Sequence, residues 1–303
     1  MSQRDVQNRI GSVKNIQKIT RAMEMMSAAR LRRAEQRISH LRPYAKAIRR
    51  MTRQAAEAAG SGEMNKLPIL REHESQDKVA LLLITADRGL AGAFNAQILR
   101  AGVAAGREVE RDGATPLYYA TGRRGTSSLT FRGLEPKGSW VGFTERPAYA
   151  NARDVAEALM VAYIDGDVDR VDMFYNGYVS PLVQEVRRET LLPLQEATIL
   201  ESGDDDEDDS ERDESGHHAL VEYEPGPEEI LERLIPDYVE ISVYRALLES
   251  SASELGARMT AMRNASENAG EVIDDLTLEM NRARQAEITQ EIMEVVAGAE
   301  ALV

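Results

Sequence analysis

Apolar residues recur at helical intervals at both ends of this chain, while the middle alternates strand-like and helix-like runs. From Val6 the series Val6, Ile10, Val13, Ile16, Ile19, Met23, Met26, Ala29 advances by threes and fours, predicting one apolar stripe along a helix. Pro43 interrupts a composition that stays Ala- and Arg-rich to about Ala59, so it is expected to kink the helix rather than end it. Gly60, Ser61 and Gly62 supply the stop. Beyond Pro236 no proline occurs, and Leu255, Met259, Met262, Ser266, Ala269, Ile273, Leu276, Met280 and Ala283 alternate steps of four and three. That is a heptad seam, the mark of a helix pressed against another helix. At about 1.5 Å per residue such a helix approaches roughly 100 Å.

Residues 78–85 form a β-rich run, followed by a Gly-rich turn and a helical stretch to about Arg111. Residues 116–120, 170–179 and 185–194 are further strand candidates, and residues 154–163 read as an amphipathic helix. This alternation predicts an open parallel or mixed sheet, Rossmann-like in outline. The expected organisation is therefore α/β plus long helices: an antiparallel coiled coil of N- and C-terminal helices with a central Rossmann-like α/β domain. Its bounds are 1–60 for the first helix, 61–235 for the globular part and 236–303 for the last helix.

Charge sharpens this picture. The net charge is −14, yet residues 1–54 hold 14 Lys/Arg against 3 Asp/Glu. Residues 201–214 carry 10 acids and one Arg, and residues 249–303 carry 11 acids against 4 bases. A basic first helix and an acidic last one are matched partners. The acidic run cannot bury enough surface to fold alone and reads as a surface loop. Aromatic residues make up only 5% of the chain, too little mass for a wholly compact body of this length. The Arg-rich start shares its composition with a transit peptide. It continues without a cleavage-like break for over fifty residues, and so reads as mature protein.

The chemistry is mostly excluded. With no cysteine, disulfides, thiolate metal sites, Fe–S clusters and cysteine nucleophiles are all ruled out. His217 and His218 adjoin the acidic run as a solvated pair, and His40 and His73 form no ligand spacing. The turn Arg88-Gly89-Leu90-Ala91-Gly92-Ala93 matches neither dinucleotide nor phosphate-loop spacing and has no lysine for a phosphate. Its glycines read as a tight turn into a helix. No catalytic constellation assembles. The basic arm has one aromatic, Tyr44, and no nucleic-acid motif, so nucleic acid is not an expected partner. No stretch reaches the roughly 18 apolar residues of a membrane span. On these residues alone two other classes stay open: a coiled-coil scaffold or adaptor with a degenerate nucleotide-binding domain, and a basic-arm nucleic-acid binder.

Three segments decide between these classes. KNIQKITRAMEMMSAARLRRA (residues 14–34), TADRGLAGAFN (residues 85–95) and RMTAMRNASENAGEVIDDLTLEMNRARQAEITQEIMEVVAGAEAL (residues 258–302) resemble the gamma subunits of bacterial F-type ATP synthases in order, spacing and total length. The resemblance implies a central rotor stalk, non-catalytic and without cofactor or metal. Its partners would be three alpha and three beta subunits, the epsilon subunit and the membrane c-ring. Proton flow through that ring would turn the paired helices and drive ATP synthesis on the beta subunits. The chain would sit peripherally on the cytoplasmic side of the cell membrane, without inserting. Arg284, Gln285 and Thr289 resemble the residues that engage a beta-subunit loop, and Met23 matches a position sensitive to added charge, with plain seam packing as its alternative. A tip that turns without sticking needs a smooth apolar end, for which Ile292, Val295, Val296, Ala299, Leu302 and Val303 are the candidates. Ala91 replaces a common cysteine, Met280 stands where an aromatic is frequent, and Glu287 stands where a small polar residue is usual.

Overall fold

The computed structural model describes residues 3–59, 67–73, 75–194 and 226–300. The stop signal at residues 60–62, the acidic run, His217, His218, Leu302 and Val303 lie outside the described residues. Of Ala299 only the backbone is described. The chain divides into two compact units: one made by its two ends, up to Arg30 and from Arg258, the other by Leu31–Ala257.

The larger unit is built on a five-stranded sheet. Strands β1 (Lys78–Ile84), β2 (Thr115–Thr121), β3 (Gly138–Trp140), β4 (Arg170–Tyr178) and β5 (Gln184–Leu192) lie in the order β3-β2-β1-β4-β5. All neighbours are parallel except β4 and β5. Between them run α2 (Phe94–Arg111), α3 (Arg123–Phe131) and α4 (Tyr149–Ile164), with α1 (Gln3–Ala59) and α5 (Pro227–Glu300) at the ends. Strand β1 is apolar at nearly every position because both of its faces are covered. Val79, Leu81 and Leu83 meet Phe94, Ile98 and Leu129 of α2 and α3. Ala80, Leu82 and Ile84 meet Val155, Leu159 and Tyr163 of α4 and Val239 and Val243 of α5. Helix α2 approaches the sheet closely because residue 102 is glycine: a Cβ there would overlap Leu83 Cδ2. The short strand β3 and helix α3 were not among the sequence expectations. α3 has little apolar periodicity to announce it, and three residues are too few to show any.

In the smaller unit the two helices run antiparallel. Val6, Ile10 and Val13 pack on Ile273, Leu276 and Met280. Further along, Gln17 Nε2 donates to the Ser266 carbonyl at 3.3 Å, and Arg263 reaches Glu24 at 3.0 Å. The predicted C-terminal seam is the least exposed stripe of α5, with Met262, Ser266, Ala269 and Leu276 all under a tenth exposed. The N-terminal stripe needs correction. Ile16, Ile19 and Met26 are 54%, 59% and 41% exposed, and Ala29 also faces solvent. A series stepping mostly by three lags behind the ~3.6-residue turn and spirals off the interface. The face that does turn inward is Val6, Ile10, Val13, Gln17, Thr20, Glu24, Ser27, alternating four and three, and its later members are polar. Thr20 and Ser27 satisfy their hydroxyls on the backbone carbonyls of Gln17 and Met23.

In the larger unit Leu31 and Ala34 of α1 pack against Ala252 and Leu255 of α5, and Ile48 packs against Leu234 and Ile241. Helix α1 continues through Pro43, and α5 begins at Pro227 and carries Pro236 inside it.

Candidate functional site

The residues singled out for a partner contact sit on the last turns of α5. Arg284, Gln285 and Thr289 are all exposed. Gln285 and Thr289, one turn apart, share a face, and the Thr289 hydroxyl donates to the Gln285 carbonyl at 2.9 Å. Arg284 stands about 100° round the helix from Gln285, in line with Ile288. From Arg284 to Ala297 every residue is exposed, including Ile288, Ile292, Val295 and Val296 at 44%, 57%, 72% and 51%. Such a density of large apolar side chains on a helix that no described residue covers marks an interaction surface. Met23 is half-buried, and beside it Met25 is 62% exposed. The outward face of α1 thus carries Ile16, Ile19, Met25 and Met26, apolar residues that the helix pair leaves uncovered.

A second constellation lies at the carboxyl edge of the sheet, where folds of this strand order bind ligands at the switch point between β1 and β4. Here α5 occupies that position. Ser253 Oγ donates to the Asn176 carbonyl at the end of β4, and Ser251 Oγ donates to the Glu145 carbonyl. Asn176 Nδ2 in turn donates to the Phe94 carbonyl at the start of α2. Asp87, three residues past the end of β1, ties the neighbouring loops together. Its carboxylate accepts the backbone N–H groups of Arg123, Gly142 and Thr144 and the Thr144 hydroxyl, all at 2.9–3.1 Å. Burial alone would raise its pKa, but the hydrogen bonds from Gly142, Thr144 and Arg123 outweigh it and hold the carboxyl below its ordinary value. Gly122, at φ 85°, completes the arrangement, because a Cβ there would strike the Thr85 carbonyl. Sequence reasoning passed over Asp87. Its one signal was position, an acid directly before a Gly-rich turn, and its donors come from segments 36–57 residues away.

Among the described residues no group of His, Asp and Glu could hold a metal ion, and no helix is long and apolar enough to cross a membrane. The smaller unit thus pairs the two ends of the chain, and the larger one holds a Rossmann-ordered sheet whose switch-point crevice is taken by its own stretch of α5.

Comparison with known proteins specifies the class. A family model described as ATP synthase matches residues 2–302. The ATP synthase gamma chain of Rubrobacter xylanophilus is 43% identical over 301 residues, covering 99% of this chain and 98% of its own. That of Acidothermus cellulolyticus is 42% identical over 299 residues, covering 97% and 95%. Among solved structures, a chain of the Euglena gracilis mitochondrial ATP synthase OSCP/F1/c-ring assembly superposes with a TM-score of 0.66 at 17% identity, over 99% of this chain and 94% of that one. A chain of the Tetrahymena thermophila central stalk and c-ring gives 0.58 at 24% identity, over 82% and 99%. The chain belongs to the ATP synthase gamma chain family, and as such it is a non-catalytic subunit of that synthase.

Proposed function

We propose that this chain is the central rotor stalk of a bacterial enzyme at the cytoplasmic face of the cell membrane. Residues 1–60 and 236–303 would supply the shaft and residues 61–235 the body that docks the epsilon subunit and the c-ring. Three alpha and three beta subunits would surround the shaft, and proton flow through the ring would turn it. Arg284, Gln285 and Thr289 are the proposed contact with a beta-subunit loop, and Met23 a position where coupling is sensitive to charge. Ile292, Val295, Val296, Ala299 and Leu302 would form the tip.

The observation that carries this reading is the run from Arg284 to Ala297, helical and exposed at every position. A helix end of that length, left without a partner among the described residues, is marginal in water, so a surrounding sleeve accounts for its retention. The large apolar side chains on it then meet the sleeve with few directional bonds, which is what a bearing requires. A scaffold protein has no use for such an end.

The test is Arg284→Ala with Gln285→Ala in the assembled complex, reading ATP-driven proton pumping against ATP hydrolysis. Pumping per ATP should fall severalfold while the melting temperature holds, since neither side chain is buried. Wild-type pumping in the double variant would remove these residues from the coupling path.

A further inference from the structure

An open groove of about 850 Å³ lies between α2 and α3 of the larger unit. Its walls carry Arg100 and Arg107 of α2, Arg124 of α3 and Arg132 just beyond α3, all exposed. No carboxylate is among its described lining residues, and no ion pair joins any of the four to a described carboxylate. Glu108, beside Arg107, bonds Arg188 of β5 instead, at 3.4 Å. Ala96 and Ala104 on the α2 side are exposed and small, which leaves room for a chain to lie along the helix. Arg100 and Arg107 stand about 10 Å apart along their helix axis, and Arg124 and Arg132 about 12 Å. Cations spread that widely are not met by one small anion. They match a polyanion that offers carboxylates at repeated intervals.

The chain itself holds such a polyanion. Residues 201–214 carry ten acids and one Arg, and they belong to the stretch between Leu194 and Gly226 that lies outside the described residues. The ends of the described chain decide whether that run can reach the groove. Arg188 of β5 already touches α2 beside Arg107. From Arg188 to Leu194 the chain advances about 20 Å as strand, and residues 195–200 can span about 20 Å back. Glu201 thus comes within reach of the Arg107 end of the groove. On the other side, residues 215–225 can span about 36–40 Å. That is enough to pass the sheet edge to α5, whose Leu231 and Ile235 pack on the opposite face from α2. Tethers this short hold the run at a millimolar effective concentration, so modest individual attractions suffice. We propose that residues 201–214 dock along the groove between α2 and α3, with their carboxylates on Arg100, Arg107, Arg124 and Arg132.

The absence of cysteine from the sequence makes a cross-linking test clean. Ser127→Cys in the groove is combined with Asp206→Cys in the acidic run, in the purified full-length chain, and a short bismaleimide joins the two thiols. The control pairs Asp206→Cys with Val161→Cys, an exposed position on α4 across the sheet. The groove pair should cross-link roughly fivefold more than the control at low salt. The excess should vanish in 1 M NaCl, where the Debye length falls to about 3 Å. Arg100→Gln with Arg124→Gln should bring the groove pair down to the control, whereas Arg111→Gln, exposed and outside the groove, should leave it unchanged. Equal yields in the two pairs, an excess that survives salt, or an excess that survives the double arginine change would overturn the proposal. So would protection of Ser127→Cys by another subunit of the assembled complex with no cross-link to residue 206, which would give the groove to that subunit.

Discussion

Replacing Asp87 with Asn tests whether one carboxylate organises the loops at the carboxyl edge of the sheet. Asn is nearly isosteric, but it presents a single acceptor oxygen and an NH₂ group where the carboxylate accepts from Arg123, Gly142 and Thr144. At least one N–H donor then faces another donor. Charge-assisted bonds contribute about 1.5–3 kcal/mol each and an unmet buried donor costs about 1–3 kcal/mol. Arg123 and Gly142 are exposed, so water replaces part of what is lost. The net cost should be about 2 kcal/mol, a fall of roughly 4–8 °C in the unfolding midpoint. The chain's single tryptophan, Trp140, precedes Gly142 by two residues, so its fluorescence reports unfolding of this region directly. Acid supplies the sign. A carboxyl whose folded pKa is depressed contributes stability above its unfolded value near 3.9, and that stability is lost as pH falls through the folded value. The gap between wild type and variant should therefore be full at pH 7 and close progressively below about pH 4. A midpoint within 1 °C of wild type at pH 7, or a gap independent of pH, would refute the assignment.

Three other perturbations probe separate parts of the molecule. Leu276→Ala removes a buried seam side chain packed on Val6 and Ile10; about 2–3 kcal/mol should be lost, read as faster amide exchange in the first turns of α1. Gly102→Val drives a branched side chain into Leu83; the cost should be about 1–3 kcal/mol, seen in urea unfolding followed by Trp140. Met23→Lys places an ammonium on a half-buried position from which a long side chain reaches water. Coupling in the assembled complex should fall while the melting temperature moves by under about 2 °C, and a larger thermal loss would show that Met23 acts by packing.

What could be read from the sequence followed from how strongly each pattern constrained geometry. The C-terminal seam was legible because its four-three alternation holds one face against a partner from Leu255 to Leu276. The N-terminal helix misled because its largest apolar residues point outward. Ile16, Ile19 and Met26 imitate a seam, while the true interface is filled by Gln17, Thr20 and Ser27. Hydrophobicity marks burial within a chain and burial against a partner alike, and periodicity alone does not separate the two. The central strand was plain from its unbroken apolar run. The roles of Asp87, whose one signal was its place before the Gly-rich turn, and of Ser251 and Ser253 were not legible, since their partners are set by the fold rather than by neighbours in the chain. The terminal contact residues came only from the resemblance, because nothing in their local pattern distinguishes them from other solvated positions.

The two serines of α5 have a mechanical consequence. A helix that merely rests on a sheet can slide or roll, since apolar contacts have no preferred angle. One keyed by Ser253 into the backbone of β4 and by Ser251 into that of the loop at Glu145 turns only if the sheet turns with it, as a spline fixes a wheel to its axle. In this domain the cleft that other proteins of its strand order give to a coenzyme has become the joint.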